Sequence, residues 1–443
     1  MIGNEKERKR GEYAGKTGGV LFTPAFTALL VAQLFSLTGS SVARFVLPLH
    51  LLNLTGSASL YGAATAAAFV PYILCMPVGG VVADRLRKQW LMAGIDALLA
   101  LATAAYLLFS SAVDIVALTL VVLMVLFACQ AFDQPAIQAS VPYLVERGRV
   151  TQAVAIMNQA NMLTSILGPV LGGAVFGFFD VGPIMALATA SFAMSSALLA
   201  AFVKMDDGRA TSSVEDGNCP AGQLRLSPFA VFVADLQAAA VFLRSKPLLW
   251  HAIAFAACCN FVLSAGLTVG GAYIVTERLG LSNQLMGIAE ASYGVGGLLG
   301  GLVVTVRPQA FPFTRIPTTL LFASLGLVPM ATALALNLPS LAVFAIMLAC
   351  LAWILGCATC FTIALTGTLQ TETPSGLIGK VMALMYAAVN CATPLGQLVF
   401  GLAFDIAVPV VIVAVMCATM LVLSLLMCAD FKREANKNGR ASY

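Results

Sequence analysis

Residues 79 to 90 read GGVVADRLRKQW, and the five positions from Asp84 to Lys88 carry one carboxylate and three cations. The segment from 60 to 78 that precedes them contains no charged residue. Only 10% of the 443 residues are charged, so this cluster marks a point where the chain leaves an apolar environment for water. The rest of the sequence identifies that environment as lipid.

Long apolar runs recur along nearly the whole chain, which is 60% hydrophobic. About twenty apolar residues are needed for a helix to cross the hydrocarbon core of a bilayer, which is roughly 30 Å thick. The sequence therefore predicts twelve membrane-spanning helices, at 22–49, 59–83, 90–111, 115–140, 151–178, 182–204, 247–275, 284–306, 315–336, 340–368, 376–403 and 407–429.

Basic residues predict the orientation of these helices. If the N-terminus is cytoplasmic, 22 of the 24 Lys and Arg residues fall in cytoplasmic segments, and only Arg44 and Arg278 do not. Such a bias is typical of multi-pass membrane proteins. We therefore expect an integral protein of the cell membrane with both termini in the cytoplasm. The net charge of +4 reflects this bias, and nucleic-acid binding is not expected.

The chain also contains an internal repeat with an offset of 225 positions. Identical residues at this offset include Leu54 and Leu279, Ser57 and Ser282, Gly62 and Gly287, Met157 and Met382, Pro169 and Pro394, and Asp180 and Asp405. Duplicated helical bundles are common in transporters. The predicted fold is an all-α membrane protein with two pseudo-symmetric six-helix bundles, 1–204 and 247–443. A cytoplasmic linker, 205–246, joins them and carries an amphipathic helix near its end.

The opening stretch resembles the signature G-x-x-x-D-R-x-G-R-R of the major facilitator superfamily, found after the second of twelve helices. Gly80, Asp84, Arg85 and Lys88 occupy matching places, whereas Arg87 replaces the second glycine. Gln89 also replaces the last basic residue, so the turn is expected to be less tight. Three further segments, 54–62, 132–145 and 166–177, are similar to those of macrolide and siderophore exporters of that superfamily.

This resemblance implies a latch on the cytoplasmic side. Asp84 would face the free N–H groups at the start of the eleventh helix, near 374–376, where a carboxylate is favoured. Arg85 would contact Asp133, and Gly80 and Lys88 would complete the signature. These contacts would hold the two bundles together until the transporter opens inward. The alternative is that the charges only anchor the helix end at the membrane surface.

Four charged residues lie deeper within predicted spans, where each is a functional candidate. Asp96 and Asp133 lie toward the cytoplasmic side, and we assign Asp96 either to the latch or to proton coupling. Arg44 and Glu290 lie about 8 Å below the outer surface at 1.5 Å per residue. They are predicted to pair as an outer gate that protonation of Glu290 opens, unless each reaches water separately.

Polar side chains at helical spacing predict the substrate path. Such stripes either line a wet cavity or join helices by hydrogen bonds. The expected cavity residues are Gln130, Gln134, Asn158, Asn161, Asn260, Ser264, Tyr386 and Asn390. The eleven cysteines, including the pair Cys357 and Cys360, are interpreted as packing residues, and no metal or cofactor is expected.

These features predict a monomeric secondary transporter and not an enzyme. We expect it to export bulky amphipathic small molecules, drug-like or macrolide-like, by alternating access and in exchange for protons. Two alternatives remain: a siderophore or lysophospholipid carrier of the same fold, and a membrane sensor that transports nothing.

Overall fold

The computed structural model describes residues 22–145, 149–203, 228–336, 338–374 and 377–440. Within these ranges every regular element is a helix, and the thirteen long ones are numbered here in chain order. They are α1 Pro24–Thr55, α2 Ala58–Arg85, α3 Lys88–Phe109, α4 Ile115–Leu144, α5 Val150–Phe178, α6 Val181–Phe202, α7 Pro228–Arg244, α8 Pro247–Arg278, α9 Asn283–Val306, α10 Phe313–Ala335, α11 Ser340–Glu372, α12 Ile378–Ile406 and α13 Pro409–Arg440.

Twelve of these helices, all except α7, are long and apolar enough to cross a membrane. Large apolar side chains cover their outer surface: Leu101, Leu108 and Ile406 are 68%, 74% and 84% exposed. Apolar surface on this scale is stable in lipid and not in water. The predicted number of spans and the all-helical class are confirmed.

The first helix is longer than its sequence indicated. Thr23 caps it by accepting a hydrogen bond from the backbone N–H of Phe26 at 3.1 Å. Pro48 is tolerated inside the helix, which ends only where Gly56 adopts a φ of 64°. Arg44 is therefore eleven residues, about 16 Å, from the end of α1. The sequence predicted an end at residue 49, so Arg44 lies farther from the end of its helix than expected, while its depth below the outer surface stays a prediction.

Two helices depart from regular α geometry. Helix α8 contains π-helical segments at Asn260–Ser264 and Ile274–Arg278. Helix α10 begins with a single 3₁₀ turn, and the continuity of its α-helical hydrogen bonds is interrupted at Gly326. Such irregular turns change the direction of side chains without ending the helix.

We use N-half for α1–α6 and C-half for α8–α13. The halves meet mainly where α2 crosses α12 and where α5 crosses α9. A methyl group on Gly62 would lie 2.3 Å from the carbonyl oxygen of Gln397, and one on Gly287 would lie 2.3 Å from that of Pro169. Because Gly62 and Gly287 are 225 positions apart, the two crossings are related by the internal repeat.

Both crossings lie toward one face of the bundle. We call this the distal face, and the face where α1 begins and α13 ends the terminal face. At the distal face, Asp405 of α12 accepts hydrogen bonds from Ser57 Oγ and from the backbone N–H groups of Ala58 and Ser59, at 2.9, 2.7 and 3.0 Å. The carboxylate of one half thus caps a helix of the other. The halves are joined at the distal face.

Helix α7 lies at the terminal face, in the segment where the sequence predicts an amphipathic helix. It contacts α12 and, less extensively, α2. Asp235 forms an ion pair with Lys380 of α12 at 2.8 Å. The helix therefore touches both halves.

Candidate functional site

A cavity of about 540 Å³ lies between the two halves. Helices α1, α4 and α5 of the N-half and α9 of the C-half contribute its walls, with two residues from α3. Its polar and charged lining consists of Ser36, Ser40, Ser41, Arg44, Gln130, Asp133, Gln134, Asn161, Thr164, Ser165, Glu290 and Tyr293. Its apolar lining includes Phe45, Leu99 and Leu126. A mixed lining of this kind is typical of a small-molecule site.

Arg44 is held against α4 on one wall of this cavity. Its Nη1 donates to Gln130 Oε1 at 2.6 Å, and its Nη2 donates to the carbonyl oxygen of Leu126 at 3.1 Å. The guanidinium carbon lies 4.5 Å from the ring centroid of Phe127, which adds a cation–π contact. Three contacts with one helix fix the position of the charge in the cavity wall.

Glu290 lines the same cavity from the C-half, but Arg44 and Glu290 do not form an ion pair within 4 Å, although both are described. The predicted outer gate between them is therefore absent from this conformation, because nearer acceptors on α4 bind the guanidinium. Glu290 Oε2 is buried without a hydrogen-bond partner among the described residues. The nearby Tyr293 hydroxyl donates to the carbonyl of Leu267 at 2.9 Å.

The two carboxylates predicted near the cytoplasmic side occupy different environments. Asp133 lines the central cavity. Asp96 is 1% exposed and accepts hydrogen bonds from Ser36 of α1 and Ser195 of α6. It joins three helices of the N-half and is not part of the cavity lining. This arrangement favours helix packing over the predicted gating or proton-coupling role of Asp96.

The predicted cavity residues divide into three groups. Gln130, Gln134 and Asn161 line the central cavity. Asn260 and Tyr386 line a second, smaller cavity within the C-half. The other three, Asn158, Ser264 and Asn390, belong to neither cavity, and Asn158 is exposed.

The surroundings of Gly80 and the side chains of Asp84 and Arg85 lie outside the described part of the structure, as do residues 375 and 376. Lys88 is described, and it is 93% buried with Nζ 5.1 Å from the ring centroid of Tyr143. Its contact is thus within the N-half. Among the described residues, no group of three or more His, Cys, Asp or Glu side chains is arranged to hold a metal.

Several cavity residues were missed by the sequence analysis. Ser36, Ser40 and Arg44 are spaced four apart on α1 and share one face, so a search for polar stripes on the first helix would have found them. Thr164 and Ser41 also line the cavity, and Ser41 Oγ donates to the carbonyl oxygen of Thr164 at 3.2 Å. Because Ser and Thr hydroxyls readily bond within their own helix, their presence alone does not indicate a cavity.

The sequence profile of the Major Facilitator Superfamily matches residues 29–396. This match spans both halves, the internal repeat and the central cavity. The chain belongs to the major facilitator superfamily. It is an integral multi-pass membrane transporter of that superfamily, and the predicted family is confirmed.

Relatives of this superfamily transporter include proteins named for macrolide efflux. It is 21% identical over 384 residues to macrolide efflux protein A of Streptococcus pyogenes, covering 86% of this chain and 89% of that protein. It is 22% identical over 334 residues to macrolide efflux protein A of Enterococcus faecalis, covering 74% of this chain and 96% of that protein.

Solved structures of superfamily members share the fold of this transporter. A D-xylose–proton symporter matches with a TM-score of 0.67 and 14% identity, covering 91% of this chain and 97% of that chain. A bacterial homologue of the iron transporter ferroportin, in an inward-facing state, matches with a TM-score of 0.65 and 16% identity, covering 92% and 98%. At these identities the likeness concerns the fold alone.

Proposed function

We propose that this transporter exports bulky amphipathic small molecules from the cytoplasm in exchange for protons. The observation that carries the proposal is the central cavity, in which Arg44 and Asp133 of the N-half and Glu290 of the C-half line one space between the halves. Ionisable groups at membrane depth are costly and mark substrate and ion pathways. The efflux proteins to which the chain is similar support the direction.

The chemistry of the lining supports an amphipathic substrate. Gln134 and Asn161 offer amide groups, while Phe45 and Leu99 offer apolar surface beside them. The volume of about 540 Å³ lies in the range of sites for drug-sized molecules. We therefore favour a drug-like or macrolide-like substrate over an ion or a small sugar.

In this proposal the transport cycle proceeds by alternating access. Residues 1–204 and 247–443 act as two bundles that rock against each other, joined by the linker 205–246. In this proposal the terminal face is cytoplasmic, in line with the basic residues, and the two glycine-lined crossings close the cavity from the distal side. Export requires these crossings to separate. The signature residues Asp84 and Arg85 then hold the terminal face shut in the opposite state.

Glu290 is the proposed site of proton coupling. A carboxylate whose oxygen is buried without a partner is unfavourable in its charged form. Binding of a proton removes that cost, and release of the proton restores it. A proton taken up from the distal side therefore stabilises one conformation relative to the other, which is the requirement for coupling.

Inside-out membrane vesicles test the proposal. Radiolabelled erythromycin should accumulate when the vesicle lumen is acidic, and a protonophore should abolish the accumulation. Vesicles without the transporter are the control. Uptake of ferric siderophore or lysophospholipid instead of erythromycin would favour the alternative carriers, and transport of none of the three would contradict the proposal.

A further inference from the structure

A second cavity of about 110 Å³ lies inside the C-half, between α8, α10, α11 and α12. Most of its lining is aliphatic or aromatic, from Leu263, Leu320, Phe361, Leu365, Met385 and Val389. Five of these six are buried or nearly so, whereas Tyr386 at its edge is 45% exposed. The pocket is therefore apolar, with one amphipathic side chain at its margin.

The amide N–H group of Asn260 and the hydroxyl of Thr362, both in the pocket wall, already donate hydrogen bonds within the protein. Asn260 Nδ2 donates to the carbonyl oxygen of Val389 at 3.0 Å and to Thr393 Oγ1 at 2.7 Å. Thr362 Oγ1 donates to the carbonyl oxygen of Ala358 at 2.9 Å. These two donors are not free for a ligand, and with a lining that is mostly aliphatic or aromatic the pocket favours apolar groups.

The shape of the pocket depends on an irregular turn of α8. Residues Asn260–Ser264 form a π-helical segment, and Asn260 fastens this segment to α12. A π-helical turn is wider than an α-helical turn and occurs frequently at functional sites. This segment forms one wall of the cavity.

The internal repeat relates this pocket to the central cavity. Tyr386 is 225 positions after Asn161, and Val389 is 225 positions after Thr164. Asn161 and Thr164 line the central cavity, whereas Tyr386 and Val389 line the C-half pocket. Equivalent positions in the two halves thus carry polar side chains in one and aromatic or aliphatic side chains in the other. The two halves have therefore diverged at these positions, which line the polar central cavity from the N-half and an apolar site in the C-half.

We infer that the C-half pocket binds an apolar arm of the exported amphiphile while the polar body occupies the central cavity. The arm is an aromatic ring or branched alkyl group of at most about six carbons, because the pocket of about 110 Å³ is somewhat smaller than the cavity of roughly 150 Å³ that accommodates benzene. The inference rests on the proposed export of amphipathic molecules. Beyond that proposal, it specifies that the C-half selects the apolar part of the substrate.

A matched pair of compounds tests the inference in the vesicle assay: erythromycin 9-oxime and its O-benzyl ether, which differ by one benzyl group. Ala358 lines the pocket, and Ala358→Leu fills most of it. The ratio of apparent KM for the ether to that for the oxime should rise about tenfold, the usual effect of losing an apolar contact of this size. Ala345→Leu, on the exposed side of α11, should leave the ratio unchanged.

Phe361→Leu provides a second variant that enlarges the same pocket. For a bulkier O-naphthylmethyl ether, the ratio of its apparent KM to that of the oxime should fall. An unchanged ratio in both folded variants, with both compounds still exported, would overturn the pocket assignment and leave the proposed function standing. Failure of the wild-type protein to export either compound would instead contradict both proposals.

Discussion

The carboxylate of Asp405, in the last turn of α12, accepts a hydrogen bond of 2.7 Å from the backbone N–H of Ala58, in the first turn of α2. The contact joins the C-half to the N-half. A helix N-terminus carries partial positive charge and unpaired N–H groups, so a carboxylate there is favourable. The repeat-related residue Asp180 instead bonds the N–H of Val181, in its own half, at 2.8 Å. Only one of the two equivalent carboxylates therefore joins the halves.

This asymmetry predicts that Asp405→Ala weakens closure of the distal face. Loss of a helix cap costs about 1 kcal/mol, which corresponds to roughly a fivefold shift toward the distal-open conformation. Hydrogen–deuterium exchange at residues 283–287 of α9 measures this opening, since that segment does not contact Asp405. Asp180→Ala is the matched control and should leave the exchange near its wild-type rate. Equal exchange in the two variants would show that Asp405 has no gating effect.

The glycine crossings predict a stronger effect on the same equilibrium. A methyl group introduced by Gly287→Ala would lie 2.3 Å from the backbone oxygen of Pro169, which cannot move aside as a side chain can. Forcing the helices apart should cost about 1–3 kcal/mol and favour the distal-open state. Exchange at residues 58–62 of α2 should therefore accelerate.

Gly94→Ala is the control for this change, because a methyl group at Gly94 would have no neighbour within 4 Å. It should leave exchange unchanged and slightly raise the temperature of unfolding, since alanine favours the helix. If Gly287→Ala behaves like Gly94→Ala, the close crossing does not control access.

The hydrogen bond between Arg44 and Gln130 predicts how substitutions at Gln130 change the stability of the protein. Gln130→Leu removes the acceptor of the 2.6 Å bond and leaves part of the buried guanidinium unpaired. This should destabilise the protein by about 1–3 kcal/mol. Gln130→Glu keeps an acceptor and adds opposite charge, so its unfolding temperature should stay near that of the wild type. Gln138→Leu, at an exposed position on α4, is the control. Equal melting of Gln130→Leu and Gln138→Leu would contradict the importance of the bond.

The structure also explains which features the sequence alone could predict. The twelve spans follow from apolar length, and the equivalence of Gly62 and Gly287 follows from the repeat. The end of α1 did not follow, because it depends on the left-handed conformation of Gly56 rather than on hydropathy. Nor did the contacts of Arg44 follow, because its acceptors Gln130 and Leu126 belong to another helix.

Partners of polar side chains were equally hard to predict. Asn260 has the same helical spacing as a cavity residue, but its amide joins α8 to α12. Periodicity assigns a residue to a face of its helix, whereas the neighbouring helix decides whether that face meets a cavity or a hydrogen-bond acceptor. Spacing alone could not distinguish Gln134 and Asn161, which line the central cavity, from Asn260, which lines the smaller cavity of the C-half.

Proton flux driven by the substrate tests the central claim most directly, because exchange must work in both directions. In inside-out vesicles without an initial pH gradient, an inwardly directed erythromycin gradient should drive protons out and make the lumen alkaline. Glu290→Gln should bind erythromycin but produce no pH change, whereas Gln138→Leu should behave as the wild type. A wild-type protein that moves erythromycin with no change in lumenal pH, or a Glu290→Gln variant with full proton flux, would contradict proton exchange through Glu290.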